Sequence, residues 1–253
     1  MTWTGRIFDA HFHIIDPDYP LIPNQGFLPE AFTVSDYQQR TEGLNIQGGA
    51  VVSGSFQGFD QEYLKNALQQ LGDNFVGVTQ IPAILSDQEI LDLHQSGVRA
   101  VRFNLKRGGS EGFEKLEQLA RRVFDLVKWH TELYVEAKHL EELKGVLLKL
   151  PAVSIDHLGL TREGQSTLLE LAEGGVRVKA TGFGRCEFPV GPFLKDLAKA
   201  NPSCLMFGTD LPSTRAPRPF DRQDLERLQD LFDEVQLEKI FRENAQRFYQ
   251  IIT

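Results

Sequence analysis

Two histidines and an aspartate near the start of the chain are spaced two residues apart. Asp9, His11 and His13 alternate with apolar residues, among them Phe8 and Phe12, and in a β-strand side chains two positions apart point to the same face. We therefore expect the three polar side chains on one face and the two phenylalanines on the other. Imidazoles aimed into a protein interior are costly unless they are hydrogen-bonded, protonated or bound to a metal. The spacing predicts a catalytic or metal-ligating pair, His11 and His13.

Two later segments could supply an acid and a third imidazole. Asp210 alternates with Phe207 at the end of an apolar segment. This position makes Asp210 the predicted general base. An aspartate before a Leu-Pro turn can also simply cap that turn. Another apolar segment ends in Asp156 and His157, either of which could reach the same place. Parity with Ile155 favours His157.

Several cations and donors follow other apolar segments. Arg102 alternates with apolar residues, so its side chain is expected to point into the barrel. A buried guanidinium needs an anion, which is either a protein carboxylate or a substrate carboxylate. Arg107 lies just beyond it, and Arg185 could supply a second guanidinium. Ser53 and Tyr134 are candidate hydrogen-bond donors.

Eight short β-type runs must position these residues, and most are followed by helical periodicity. We place the strands at 6–13, 49–53, 75–81, 98–104, 133–137, 152–156, 176–181 and 205–208. A long amphipathic helix is predicted at 111–129, and His130 is expected to close it, where a cation suits the helix dipole. This alternation predicts one (β/α)₈ barrel domain over 1–253, with chemistry at the carboxyl ends of the strands. A doubly wound open sheet would alternate similarly, but the glycine-rich phosphate turn that it normally shows is missing from the sequence.

Composition excludes several classes of function. The chain has 253 residues, 41% of them hydrophobic, and a net charge of −8, which disfavours nucleic acid as a partner. No apolar run long enough for a membrane span and no export signal is read in the sequence. Two isolated cysteines fit a reducing compartment, so we expect a cytoplasmic protein. The proline-rich loop 17–30 is predicted either to wall one side of the barrel mouth or to be purely structural.

Four segments carry a resemblance to a known family. Residues 8–13, 155–159 and 207–212 read FDAHFH, IDHLG and FGTDLP, and the terminal segment 243–249 reads ENAQRFY. Together they resemble the amidohydrolase superfamily, and more narrowly its amidohydrolase-related branch, which includes 2-pyrone-4,6-dicarboxylate and sugar-acid lactonases. The resemblance covers essentially the whole chain and implies a TIM barrel with an additional C-terminal helix.

The resemblance also implies a reaction and roles for the candidate residues. It implies a hydrolase that opens a lactone of a small carboxylated or sugar-acid substrate by attack of an activated water. The catalytic group would comprise Asp210, His11, His13 and His157. The substrate-binding group implied by the resemblance and the residue pattern comprises Arg102, Arg107, Arg185, Lys138, Ser53 and Tyr134.

The cofactor expectation is either no metal or one divalent ion, with zinc as the preferred ion on His11, His13 and Asp210. Metal-dependent relatives carry a histidine at the end of the fifth strand, where this chain reads VEAK over 135–138. Lys138 therefore puts a cation where a ligand would stand, which opposes a bound dication.

Two other classes of function stay open on the sequence alone. One is a zinc-dependent decarboxylase or amide hydrolase on the same barrel, which would need one tightly bound metal ion. The other is a non-catalytic barrel that binds a small organic acid. The oligomeric state and the identity of the substrate are not readable from the sequence.

Overall fold

Eight parallel strands form a nearly closed barrel. The computed structural model describes residues 3–251 of the chain. Each strand pairs in parallel with the next in chain order. The strands are β1 (Ile7–Phe12), β2 (Ile46–Val52), β3 (Phe75–Thr79), β4 (Val98–Asn104), β5 (His130–Tyr134), β6 (Val153–Ile155), β7 (Arg177–Ala180) and β8 (Leu205–Phe207). The predicted (β/α)₈ barrel is confirmed.

Helices connect the strands and cover the outside of the barrel. They are α1 (Val34–Arg40), α2 (Glu62–Leu71), α3 (Asp87–Gln95), α4 (Leu116–Val127), α5 (Leu140–Leu147), α6 (Gln165–Glu173), α7 (Val190–Ala200), α8 (Arg222–Leu231), α9 (Glu234–Glu238) and α10 (Asn244–Phe248). The last two are joined by a π-helical turn at Lys239–Glu243. Within the described chain, none of these helices has the length and apolar character needed to cross a bilayer.

The barrel closes where β8 approaches β1. The backbone N–H of Asp210 donates to the His11 carbonyl at 2.7 Å, and that of His13 donates to the Leu211 carbonyl at 2.7 Å. Gly208 permits this approach, because a Cβ there would lie 2.7 Å from the His11 nitrogen. The backbone thus fixes Asp210 beside the two histidines.

Apolar side chains pack in two layers. The larger cluster lies between strands and helices and includes Phe12, while the smaller one fills the barrel interior. Phe8 belongs to the interior cluster, where its ring centroid lies 5.6 Å from that of Tyr249. The expectation that Phe8 and Phe12 share a face is therefore wrong. The pairing of β1 with β2 shifts register between Asp9 and Phe12, and this irregularity breaks the simple alternation.

The fifth strand begins earlier than the sequence suggested. Helix α4 ends at Val127, and Lys128 adopts a left-handed conformation with φ of 60°. His130 therefore opens β5 instead of closing α4, and the predicted strand at 133–137 is displaced by three residues. The shift places Glu132 in the middle of a buried strand.

Candidate active site

Three imidazoles surround one carboxylate oxygen at the carboxyl end of the barrel. The Nε2 atoms of His11, His13 and His157 lie 3.9, 3.8 and 3.9 Å from Asp210 Oδ1. All four residues are at most 5% exposed. We call these four residues the mouth cluster. The structure brings together the four residues that the sequence nominated for catalysis.

Three buried atoms of the mouth cluster have no hydrogen-bond partner in the described chain. They are His11 Nε2, His157 Nδ1 and Asp210 Oδ1, and the Nε2–Oδ1 separations above exceed hydrogen-bond length. A buried polar atom without a partner costs about 1–3 kcal/mol. Such atoms inside a pocket are expected where a substrate, a water or an ion completes the site.

The neighbours of two imidazoles assign their tautomers. His13 Nδ1 lies 2.6 Å from the Val52 carbonyl oxygen, which can only accept, so a neutral His13 turns an unprotonated Nε2 toward Asp210. Lys179 Nζ lies 3.2 Å from His11 Nδ1. Because an ammonium can only donate, a neutral His11 carries its proton on Nε2. His13 therefore offers an acceptor to the mouth, and His11 offers a donor.

Arg185 fixes the charge state of the candidate base. Its Nε donates to Asp210 Oδ2 at 2.6 Å. Burial alone would raise the pKa of Asp210, but the charge of Arg185 outweighs it, followed at acid pH by that of protonated His157, and holds that pKa well below its usual range. Asp210 is therefore a carboxylate at neutral pH, with Oδ1 left to accept a proton.

Burial keeps two of the imidazoles neutral. It lowers the pKa of His157 to about 4, although the charge of Asp210 opposes the shift. Burial, followed by the charge of Lys179, lowers the pKa of His11 well below its usual value. His157 and Asp210 also have positive φ angles, 51° and 60°. Non-glycine residues in this region are uncommon and cluster at functional sites.

A second group of charged residues lies inside the barrel and was missed in the sequence. Lys179 Nζ donates to Glu132 Oε2 at 2.5 Å, and the other carboxylate oxygen bonds His130 Nε2 at 3.0 Å. The Tyr249 hydroxyl also donates to Glu132. Burial alone would raise the pKa of Glu132, but the charges of Lys179 and His130 lower it to about 2. We call these four residues the buried network.

Asp156 links the buried network to the mouth. Its Oδ2 accepts from Arg102 Nη2 at 2.8 Å, and its Oδ1 lies 3.5 Å from His11 Nδ1 and 3.9 Å from Lys179 Nζ. The parity argument on this strand was wrong, because Ile155 packs with the helices and Asp156 points inward. His157 still reaches the mouth, because its positive φ turns the chain there.

A cavity of about 30 Å³ lies above the mouth cluster. Of the predicted substrate-binding residues, Arg102, Arg107, Arg185 and Tyr134 border it. Asn104 and Arg215 border it as well, and neither is among the residues that the sequence nominated for substrate binding.

Two predicted substrate-binding residues lie away from this cavity. The Ser53 hydroxyl bonds the Tyr63 hydroxyl at 2.5 Å, on the side of α2, and only its backbone carbonyl reaches Arg102. Lys138 is 39% exposed and pairs with Glu136 at 3.3 Å. The cation that stands beside the imidazoles is Lys179, on β7.

Asp9 holds the two closing strands together. Its carboxylate accepts from Thr209 N at 2.8 Å, from Thr209 Oγ1 at 2.7 Å and from the Tyr37 hydroxyl at 3.0 Å. Burial raises its pKa to about 6 in spite of these bonds. Asp9 therefore does not share the face of His11, contrary to the simple alternation.

Two groups of buried side chains could hold a metal ion, one at the mouth and one deeper in the barrel. His11, His157 and Asp210 form one such group, and His11, Glu132 and Asp156 form another. The unpartnered His11 Nε2 and Asp210 Oδ1 suit a cation. Lys179 opposes one, because it favours the tautomer in which His11 Nε2 keeps its proton.

Known proteins resemble this chain in sequence. A 2-pyrone-4,6-dicarboxylate hydrolase of Comamonas testosteroni is 31% identical over 156 residues, which are 60% of this chain and 51% of that protein. A 4-sulfomuconolactone hydrolase of Rhizobium radiobacter is 25% identical over 228 residues, covering 81% of this chain and 75% of that protein. The chain thus aligns with about half the length of the first relative and three quarters of the second.

The fold and the family are shared as well. The crystal structure of a probable 2-pyrone-4,6-dicarboxylic acid hydrolase from Acinetobacter baumannii with citric acid bound superposes with a TM-score of 0.84 at 22% identity, covering 97% of this chain and 99% of that one. The sequence profile of the family described as amidohydrolase matches residues 8–251. The resemblance noted in the sequence is confirmed, and the chain belongs to the amidohydrolase family.

Proposed function

We propose that the protein is a lactone hydrolase that acts on a small carboxylated or sugar-acid lactone. The observation that carries the proposal is the convergence of three imidazole Nε2 atoms on the unpartnered Oδ1 of Asp210. The two sequence relatives are named as hydrolases of 2-pyrone-4,6-dicarboxylate and of 4-sulfomuconolactone, both of which carry an anionic group. Arginines around the cavity suit such substrates.

The residues divide the reaction between them. Water attacks the lactone carbonyl, and Asp210 Oδ1 accepts the water proton. His13 Nε2 accepts a hydrogen bond from the same water and holds it in place. The Nε2–H of His11 donates to the carbonyl oxygen as it becomes negative. Arg185 keeps Asp210 ionised before the attack. As the ester bond breaks, the proton held by Asp210 passes to the departing ring oxygen, which gives the open-chain acid and restores the carboxylate.

We propose at most one divalent ion in the site, with zinc as the preferred ion. His11, His13 and Asp210 would hold the ion, and His11 would give up its Nε2 proton to do so. When bound, it would polarise the lactone carbonyl and lower the pKa of the attacking water. Metal analysis of the purified protein should give no more than one equivalent of zinc per chain, and two equivalents would contradict the proposal.

A panel of lactones assayed with and without a chelator tests the function. The panel includes 2-pyrone-4,6-dicarboxylate, a muconolactone and an aldonolactone, and acid release is measured. We expect turnover of at least one member. If none is hydrolysed while an amide is cleaved or an organic acid is decarboxylated, the lactonase proposal is wrong. Binding of an organic acid without any turnover would leave only the non-catalytic alternative.

A further inference from the structure

Two groups of opposite kind face the same ring nitrogen of His11. Lys179 Nζ lies 3.2 Å from His11 Nδ1, and Asp156 Oδ1 lies 3.5 Å from that nitrogen. An ammonium can only donate a hydrogen bond, whereas a carboxylate can only accept one. Lys179 therefore favours an unprotonated Nδ1, and Asp156 favours a protonated one. The two groups thus compete to set the tautomer of a neutral His11.

Lys179 is held in the position from which it donates to His11. Its side chain is fully buried, and its Nζ donates to Glu132 Oε2 at 2.5 Å. An ammonium has three N–H bonds, so others remain for further acceptors. Among the described residues, His11 Nδ1 is the second acceptor within hydrogen-bond distance of Nζ, because Asp156 Oδ1 is 3.9 Å away. Lys179 is therefore the member of the buried network that also bonds the mouth cluster.

Asp156 is oriented as the competing acceptor. Its Oδ2 accepts from Arg102 Nη2 at 2.8 Å, which fixes the plane of the carboxylate. Its Oδ1 is buried and has no hydrogen-bond partner in the described part of the chain. A buried acceptor without a partner is costly, so Oδ1 would gain from a proton on His11 Nδ1. Lys179 is the group that prevents this gain.

We propose that Lys179 is a positioning residue of the metal-free hydrolytic site, because its hydrogen bond holds His11 in the Nε2–H tautomer against the pull of Asp156. The catalytic part of this inference rests on the proposed function, whereas the tautomer does not. Without Lys179 the proton moves to Nδ1, and Nε2 turns a lone pair toward Asp210 Oδ1, 3.9 Å away. The developing negative charge on the lactone carbonyl oxygen then loses its donor.

The effect of Lys179 passes through the imidazole. Lys179 is fully buried and does not border the cavity, so it does not reach the substrate itself. Hydrogen bonds in a chain strengthen one another. An ammonium that donates to Nδ1 therefore also makes the Nε2–H of His11 a stronger donor.

The tautomer is tested by ¹⁵N NMR of histidine-labelled, chelator-treated protein, which needs no substrate. The variant is Lys179→Met/Glu132→Met, in which the second change removes the carboxylate that the first would leave without a counter-charge. Neither new side chain can donate to His11, whose signals are assigned by their loss in His11→Gln. We expect a protonated Nε2 in the wild type and a protonated Nδ1 in the double variant. Identical His11 signals in the two proteins would overturn the proposal.

Steady-state kinetics on a lactone that the wild type hydrolyses measure the consequence. We expect kcat of the double variant to fall roughly 10²–10³-fold, as when one donor to a developing oxyanion is removed, with KM nearly unchanged. The matched control is Tyr249→Phe, which removes a different bond to Glu132 and does not touch His11. Its kcat and His11 signals should match the wild type. An equal loss of kcat in Tyr249→Phe would mean that any disturbance of the buried network suffices, and would overturn the role of Lys179.

Adding Asp156→Asn to the double variant gives a rescue test. Arg102 can only donate, so the new amide keeps its oxygen toward Arg102 and turns its nitrogen toward His11 Nδ1. We expect the Nε2–H signals and part of kcat to return. If the wild type hydrolyses no lactone, the proposed function is in question, while the NMR spectra still decide the tautomer. A protonated Nδ1 in the wild type, or one that persists in the triple variant, would overturn the inference.

Discussion

The mouth cluster and the buried network lie next to each other inside one barrel, yet their bonding differs. In the buried network every charged group has a close partner, with Glu132 bonded to Lys179, His130 and Tyr249. In the mouth cluster, Asp210 Oδ1, His11 Nε2 and His157 Nδ1 have no hydrogen-bond partner among the described residues. His11 joins the two, because its Nδ1 faces Lys179 and its Nε2 faces Asp210.

The difference in hydrogen bonding indicates that the buried network is structural and that the mouth cluster takes part in the chemistry, although both contain histidines and acidic residues. A buried ion pair that is fully hydrogen-bonded orients its members, and removing one partner strands the other charge. A buried acceptor without a partner is costly in the resting protein and useful when a reacting group arrives. We therefore expect substitutions in the mouth cluster to change mainly the rate, and those in the buried network to change mainly the stability.

The largest expected effect is on turnover, in Asp210→Asn. Loss of the proton acceptor should lower kcat on the confirmed lactone by roughly 10²–10⁴-fold, while substrate binding persists. Stopped and continuous assays of ring opening measure it. The matched control is Asp224→Asn, which removes another arginine-paired aspartate away from the cavity. Normal turnover in Asp210→Asn would remove this residue from the role of base.

The next effect is on stability, in Lys179→Met. The change leaves the buried Glu132 carboxylate without its main counter-charge, which should cost about 3–5 kcal/mol of unfolding free energy. Urea denaturation followed by circular dichroism measures it. The double variant Lys179→Met/Glu132→Gln should recover a large part of the loss. A cost below about 1 kcal/mol in the single variant would contradict the pairing described above.

A smaller loss is expected in Tyr249→Phe. The hydroxyl donates to Glu132 and lies 3.2 Å from the Ala10 carbonyl, so its removal leaves buried acceptors short of a donor at a cost of about 1–3 kcal/mol. The same denaturation experiment applies. Tyr19→Phe, on a partly exposed residue, serves as the control and should leave the unfolding free energy unchanged. Equal unfolding free energies for the two variants would show that the Tyr249 hydroxyl does not contribute to stability.

The smallest effect on the unfolding free energy is expected in Glu136→Gln, at the rim of the barrel just after the carboxyl end of β5. Glu136 pairs with Lys106 at 2.5 Å and with Lys138 at 3.3 Å, and its side chain is 19% exposed. Solvent-exposed pairs of this kind contribute about 0–1 kcal/mol. A loss above about 2 kcal/mol would mean that the rim pairs behave like the buried network.

The sequence revealed the mouth cluster more completely than the buried network, for a physical reason. His11, His13, His157 and Asp210 follow or end recognisable strands, and polar residues there stand out. Glu132 was missed in the sequence because β5 begins at His130, soon after the left-handed Lys128. This is three residues before the apolar pattern of the strand becomes evident.

Two other features show what periodicity could and could not reveal. Lys179 alternates with Val178 inside a strand that the sequence did predict, so its inward position was available from parity. The register shift in β1 has no such signal, and strict alternation therefore gave the wrong face for Phe8 and Asp9. Side-chain partners such as Arg185 for Asp210 depend on loop geometry, which spacing does not encode.

A crystal structure of Asp210→Asn with 2-pyrone-4,6-dicarboxylate would show directly whether the mouth cluster is the reacting centre, because the unreacted lactone should persist in this variant. We expect the lactone carbonyl oxygen within hydrogen-bond distance of His11 Nε2 and the carbonyl carbon facing residue 210. A lactone bound elsewhere on the protein, or one whose carbonyl points away from the imidazoles, would contradict the assignment of the mouth cluster as the reacting centre.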